Sequence, residues 1–124
     1  MPGSVTPYFT VPDADQFIEF LIATFHGILV KQHRYENGRI QHARVQIDES
    51  LLMINESNDT YEANASQMHI IVEDADVTYR TALLNGARSI MEPNDRPHGE
   101  RMAGVTDPVG NTWWIASALP NHSR

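Results

Sequence analysis

Two segments with the same pattern decide the predicted fold. Tyr8–Asp15 reads YFTVPDAD and His69–Asp76 reads HIIVEDAD, and the two align without a gap at an offset of 61 residues. In each segment a strand-forming stretch runs directly into Asp-Ala-Asp, whose carboxylates suit the cap and first turn of a helix because they accept its unpaired N–H groups. The sequence therefore predicts an internal repeat in which each unit begins with a strand followed by a helix.

The helices of the two units differ in strength. The spacing of four apolar residues predicts a first helix from Asp13 to Phe25, which Gly27 ends. The second helix is predicted to be shorter and to stop at Asn85-Gly86. Its weaker apolar face is predicted to consist of Val77, Tyr79, Leu83 and Leu84.

Three strand-forming segments follow each helix. They are 28–35, 39–47 and 50–55 in the first unit, and 88–91, 102–106 and 112–116 in the second. The polar stretch 57–66 is predicted to be a linker, and 93–99 a loop. We therefore predict an α+β fold class with two βαβββ modules in tandem, about residues 5–56 and 67–118, in a single domain over residues 1–124.

Composition excludes several classes of function. The chain of 124 residues is 41% hydrophobic and 20% charged, which is typical of a globular protein. Its formal charge of −7 opposes binding to a phosphate backbone, so nucleic acid is not expected as a partner. There is no cysteine and no apolar run that could span a bilayer, so we expect neither thiolate chemistry nor a membrane protein, and the cytoplasm is the expected location.

The repeat and its turns resemble a known superfamily. Paired βαβββ units, with Asp-Ala-Asp after the first strand and DPVGNTWW at Asp107–Trp114, resemble the vicinal oxygen chelate superfamily, which includes glyoxalase I and bleomycin-resistance proteins. HGERMAGVTDP at His98–Pro108 looks like the PhnB-like branch. The resemblance implies that each module curls into part of a curved mixed sheet. It also implies that two modules, paired within or between chains, enclose a small-molecule site.

The resemblance also indicates where a metal centre would lie. Metal-dependent relatives take ligands from the first and last strand of each module, and the matching positions here are Tyr8, Met53, His69 and Trp114. Of these side chains only imidazole is a good ligand for a divalent cation. We therefore expect neither the family's metal centre nor another cofactor. A rebuilt metal site that uses His42, His98 or Glu100 stays open at this point.

The same positions offer an apolar and aromatic pocket. Because side chains alternate across a strand, Tyr8, Met53, His69 and Trp114 are predicted to face the concave side, while their neighbours pack against the helices. His42 and Arg101 are further candidates for lining this pocket. Structural roles stay open for four of the six. His42, His69 and Trp114 could simply pack, and Arg101 could pair with Glu100 or Asp107.

These residues favour binding over catalysis. We predict a protein without the usual metal centre that binds a small aromatic or cationic organic molecule, with the acidic balance favouring a cation. The alternative is an enzyme of the lyase, isomerase or dioxygenase kind that uses His69 as a general base, assisted by Tyr8 or His42. A module that binds a protein partner through an apolar patch is a third possibility. A homodimer is expected, because pairing covers the open edge of a module.

Overall fold

The structure is a computed structural model that describes residues 3–120. The chain divides between Ala65 and Ser66 into two compact units, and the boundary falls inside the predicted linker. Module 1 contains β1 (Tyr8–Val11), α1 (Ala14–Phe25), β2 (Ile28–Arg34), β3 (Ile40–Ile47) and β4 (Ser50–Glu56). Module 2 contains β5 (Gln67–Ile71), α2 (Ala75–Leu84), β6 (Arg88–Asp95), β7 (Glu100–Thr106) and β8 (Thr112–Ala118).

Each module has one four-stranded mixed sheet. The strand order is β1-β4-β3-β2 in module 1 and β5-β8-β7-β6 in module 2. The first strand of each module pairs in parallel with the last, and the other neighbours are antiparallel. The predicted α+β class with two tandem βαβββ modules is confirmed.

Both helices begin where the repeat predicts. Asp13 caps α1 by accepting a hydrogen bond from the backbone N–H of Gln16, and Asp74 caps α2 by accepting from Asp76 and Val77. These carboxylates lie where the first N–H groups of a helix have no partner within the helix. The predicted bounds of α1 are confirmed within one residue.

The end of α1 differs from the prediction. The left-handed residue at its C-terminus is His26, with φ of 60°, and not Gly27. Gly27 is required for another reason, because a Cβ at this position would lie 2.9 Å from Cγ1 of Val45 on β3. In α2 the predicted stop is confirmed, since Gly86 follows the helix with φ of +96°.

The predicted apolar face of α2 is wrong for three of its four residues. Ala75, Tyr79 and Ala82 are the buried residues of this helix, whereas Val77, Leu83 and Leu84 are exposed. The buried residues follow a spacing of four and three, and two of them are alanines that allow the helix backbone to lie close to the sheet. The largest apolar residues of α2 therefore do not mark its buried side.

The hairpin β6–β7 is longer than predicted. β6 continues to Asp95 through the first three residues of the expected loop, and β7 begins at Glu100. Proline is tolerated in this strand because the register shifts between Met91 and Asn94, as at a β-bulge. The remaining loop spans only residues 96–99.

The sheets bury one face against their helices. Alternate residues of β1, β4 and β8 are almost completely buried, as predicted for Phe9, Val11, Leu52, Ile54, Trp113 and Ile115. Ile70 and Val72 are only half-buried. Within residues 3–120, no helix has the length and apolar character needed to cross a membrane. His122, expected in an exposed tail, lies outside the described residues.

Candidate functional site

Five of the six predicted site residues lie on the sheet face turned away from the helix, called here the open face of each module. In module 1, direct register partners across all four strands are Tyr8, Met53, Arg44 and Lys31. In module 2 the corresponding row is His69, Trp114, Gly104 and Met91. Partners in register lie side by side on one face. The structure thus brings Tyr8 beside Met53 in module 1, and His69 beside Trp114 in module 2.

His42 joins Tyr8 on the open face of module 1. The Tyr8 hydroxyl lies 3.1 Å from Nδ1 of His42, and Nε of Arg44 donates a hydrogen bond of 3.1 Å to Nε2 of the same ring. A guanidinium nitrogen cannot accept a hydrogen bond, so Nε2 of His42 carries no proton in this arrangement. Burial, followed by the charges of Arg44, Lys31 and His33, lowers the pKa of His42. The ring is therefore held neutral with its proton on Nδ1.

Arg44 was missed by the sequence analysis. It lies two residues after His42 on β3 and alternation places both on the same face. That signal was present in the sequence, but only the registers of β3 with β4 and β2 show that Arg44 is the immediate neighbour of Met53 and Lys31.

Trp114 dominates the open face of module 2. Its indole ring lies against the backbone of Gly104, where a Cβ would be only 2.5 Å from the ring atom Cζ3. The ring is also held at its edge, because Nε1 donates a hydrogen bond of 2.9 Å to Oε1 of Gln67 on β5. Trp114 remains half-buried, whereas its neighbour Trp113 is buried on the helix side and donates to Asp107. The glycine and the amide together fix the orientation of an accessible aromatic face.

His69 belongs to a hydrogen-bonded cluster with Glu100 and His98. Oε1 of Glu100 lies 3.1 Å from Nε2 of His69 and 3.0 Å from Nε2 of His98. The Glu100 side chain is only 10% exposed, whereas the imidazoles are 45% and 59% exposed. A carboxylate is an acceptor, so it orients both rings with a proton on Nε2.

Arg101 lies on the helix side of the module 2 sheet, whereas the other five predicted residues lie on the open faces of the two modules. Its Nε donates to Asp76 of α2 and its Nη1 donates to Asp95, both at 2.9 Å. Its register partner Ser117 also faces the helix, since the Ser117 hydroxyl accepts a hydrogen bond from the first residue of α2. The predicted strand began at residue 102, whereas β7 begins at Glu100, and alternation along β7 turns Arg101 away from the open face. The partners are thus neither Glu100 nor Asp107.

The donor set does not fit the metal centre of the family. Tyr8 and Trp114 already make hydrogen bonds through their polar atoms, the Met53 thioether is a poor ligand for hard cations, and only His69 offers an imidazole. In the described part of the chain, no group of three or more His, Asp and Glu side chains is arranged to hold a metal ion. His69, His98 and Glu100 satisfy one another through hydrogen bonds.

One open depression lies elsewhere on module 1. It is lined by Tyr35, Glu36, Asn37, Arg39, Glu56 and Asn58, and thus by none of the six predicted site residues. Glu56 has a structural role here, because its carboxylate accepts from the backbone N–H groups of Ala14 and Ile40.

Comparison with known proteins identifies the family. The model of the Glyoxalase/Bleomycin resistance protein/Dioxygenase superfamily matches residues 4–115. The chain belongs to this superfamily. The resemblance predicted from the repeat and the turn motifs is confirmed.

Similar proteins span nearly the whole chain. Rv0887c, an uncharacterized protein of Mycobacterium tuberculosis, is 25% identical, and the match covers 94% of this chain and 75% of that protein. The crystal structure of TioX from Micromonospora sp. ML1 has a TM-score of 0.78 at 22% identity, covering 94% of this chain and 100% of that one. A PhnB protein from Bacillus cereus, described as a putative 3-demethylubiquinone-9 3-methyltransferase, has a TM-score of 0.76 at 17% identity, covering 93% and 99%. At these identities the structural likeness shows the fold.

Proposed function

We propose that the protein binds a small aromatic organic molecule without a metal ion, and that the ring face of Trp114 is its principal contact. The observation that carries this proposal is the fixed indole on the open face of module 2, held between the Gly104 backbone and the Gln67 amide. An aromatic side chain fixed in one orientation loses little conformational entropy when a planar ligand stacks on it.

The expectation of a cationic ligand rested on the formal charge of −7 for the whole chain. On the open face of module 2 the Glu100 carboxylate already accepts from two imidazoles. The structure therefore supports an aromatic ring in the ligand better than it supports a positive charge. The charge that the site favours depends on the side chains next to the ligand.

Binding is tested with a panel of neutral and cationic bicyclic aromatics, such as quinoline and naphthalene derivatives, in buffer that contains a chelator. A ligand that binds only the folded state raises the melting temperature by mass action. Trp114→Leu should weaken binding at least tenfold, whereas Trp114→Phe keeps a ring and should retain most of the affinity. If no compound raises the melting temperature, or if Trp114→Leu binds as well as wild type, the proposal is wrong.

A specific observation also favours the enzyme alternative. Nε2 of His69 is bound to the carboxylate of Glu100, so Nδ1 is left as the basic nitrogen of the ring. A base oriented by a carboxylate is the usual arrangement for general base catalysis near neutral pH. In this alternative His69 removes a proton from a bound substrate. Turnover should then be lost in His69→Ala and reduced in Glu100→Gln, and it should persist in the presence of a chelator.

We also propose that the protein forms a homodimer. β2 and β6 are edge strands of their sheets, and they expose the apolar side chains of Ile28, Val30 and Ile90. Edges of this kind are usually covered in the assembled protein. Light scattering should give twice the chain mass, and Val30→Lys should shift the distribution toward monomer.

A further inference from the structure

The open face of module 1 carries positive charge that no carboxylate neutralises. Arg34, Arg39 and Arg101 each pair with an Asp or Glu within 4.0 Å. Within residues 3–120 several cations have no such partner, among them Arg44 and Lys31. The two are register partners on β3 and β2. In a chain with a formal charge of −7, two unpaired cations side by side form a local exception.

Arg44 is oriented by His42. Its Nε donates to Nε2 of His42, which fixes one edge of the guanidinium and leaves the Nη hydrogens available. Two Nη donors on adjacent nitrogens match the two oxygens of a carboxylate, and such charge-assisted pairs are stronger than neutral hydrogen bonds. Arg44 as a whole residue is half-buried.

The same histidine determines what Tyr8 offers. Because Nε2 of His42 accepts from Arg44, the neutral ring carries its proton on Nδ1 and donates it to the Tyr8 oxygen, 3.1 Å away. The hydroxyl hydrogen of Tyr8 then points to another acceptor. The Tyr8 side chain is exposed on this face, and Met53 lies between it and Arg44 in the register row.

We propose that the open face of module 1 is a binding site for a small organic carboxylate. Arg44 binds the carboxylate with the support of Lys31, Met53 contacts the apolar part of the molecule, and the Tyr8 hydroxyl donates to a second acceptor at its other end. The unpaired arginine, the orienting imidazole and the outward phenol hydrogen all come from module 1. The inference therefore does not depend on the Trp114 face of module 2.

The charge of the whole chain does not oppose this site strongly. Charges farther away than about 8 Å are largely screened at physiological ionic strength, so the groups next to the ligand decide the sign of the local potential. Arg44 and Lys31 are register partners on this face, and the Arg44 side chain lies against His42, so both permanent charges are close to this part of the face. A carboxylate is thus attracted here, although the protein is acidic.

The test uses two probes of nearly the same shape, 4-acetylbenzoate and 4-acetylbenzamide, and follows backbone and Arg44 Nε–H signals by NMR titration of the full chain. The amide is neutral and has an NH2 group in place of one carboxylate oxygen. Wild type should bind the carboxylate at least tenfold more tightly than the amide, with shifts at Tyr8, His42, Arg44 and Met53. Arg44→Gln should abolish this preference. Tyr8→Phe should weaken both probes severalfold, because both keep the acetyl oxygen.

Arg80→Gln is the matched control, because it removes one exposed arginine from α2. It should leave the preference for the carboxylate unchanged. Equal affinity of wild type for the two probes, no binding of either, or equal losses in Arg44→Gln and Arg80→Gln would overturn the proposal. Trp114→Leu separates this proposal from the previous one: it should leave 4-acetylbenzoate binding at Arg44 intact, even if aromatic ligands no longer bind to module 2.

Discussion

The two modules have the same framework and different open faces. Asp13 and Asp74 cap their helices, and the rows that start at Tyr8 and His69 follow the same registers. At the centre of these rows, module 1 has Met53 beside Arg44, whereas module 2 has Trp114 lying over Gly104. The framework is set by backbone pairing and helix capping. The side chains of the open face do not take part in this framework, and they are basic in module 1 and aromatic in module 2.

The largest expected difference between the modules lies in the turn before the last strand. In module 2, the Asp107 carboxylate accepts from the backbone N–H groups of Val109 and Asn111 and from the indole of Trp113. Asp107→Ala leaves these donors without their acceptor and should lower the free energy of unfolding by about 4 kcal/mol.

In module 1 the turn is short, and Asp48 has φ of 49°. Asp48→Gly should therefore change stability by less than about 0.5 kcal/mol. Urea unfolding of both variants measures the contrast, and equal losses would contradict it.

The second prediction concerns the hydrogen bond that joins the start of each helix to its sheet. Glu56 in module 1 and Ser117 in module 2 occupy equivalent places, and each accepts from the first residue of its helix at 3.1 Å. Glu56 also accepts from Ile40 on β3, so Glu56→Ala leaves two buried N–H groups unpaired and should cost about 3 kcal/mol.

Ser117→Ala leaves only one N–H group unpaired and should cost about 1 kcal/mol. Denaturant midpoints of the two variants test this order. A larger loss of stability in Ser117→Ala than in Glu56→Ala would contradict this prediction.

The third prediction tests the packing of Trp114. Gly104→Ala places a methyl group against the indole and should destabilise the protein by about 2 kcal/mol, because the ring has to move. Adding Trp114→Leu removes the ring, so the double variant should be more stable than the sum of the two single effects predicts. Additive effects in this double-mutant cycle would mean that the ring does not rest on Gly104.

The smallest effect is the pH dependence from His42. Its pKa is lowered in the folded state, mainly by burial and then by Arg44, so the unfolded chain takes up this proton at a higher pH than the folded chain does. His42 should therefore reduce stability as the pH falls below about 6.5. The melting temperature should fall less steeply over pH 6.5 to 5 in His42→Gln than in wild type. An identical slope in the two proteins would contradict this assignment.

Much of the framework could be predicted from sequence because it depends on local chemistry. The repeated Asp-Ala-Asp located both helix starts, and turn residues located most strand ends. The predictions were wrong where tertiary packing determines which residues are buried. Residue size favoured Leu83 and Leu84 for the buried face of α2, whereas close approach to the sheet selected Ala75 and Ala82.

The open faces were only partly predictable for the same reason. Alternation along single strands identified Tyr8, Met53, His69 and Trp114 as residues of one kind of face. The position of Arg44 beside Met53 and the packing of Trp114 on Gly104 depend on which residues neighbouring strands bring side by side, which the spacing along one strand does not show. Arg101 was misplaced because β7 begins earlier than its turn residues suggested.

The parallel pairing of the first and last strands also has a consequence for folding kinetics. In each module the antiparallel hairpins join residues that are close in sequence, whereas Tyr8 pairs with Met53 and His69 with Trp114, each across 45 positions of chain. Contacts between residues that are far apart in sequence cost more conformational entropy, because a longer segment of chain has to be closed before the contact forms. We therefore expect the hairpins to form early and the closing of β1 on β4, and of β5 on β8, to limit the rate at which each module matures.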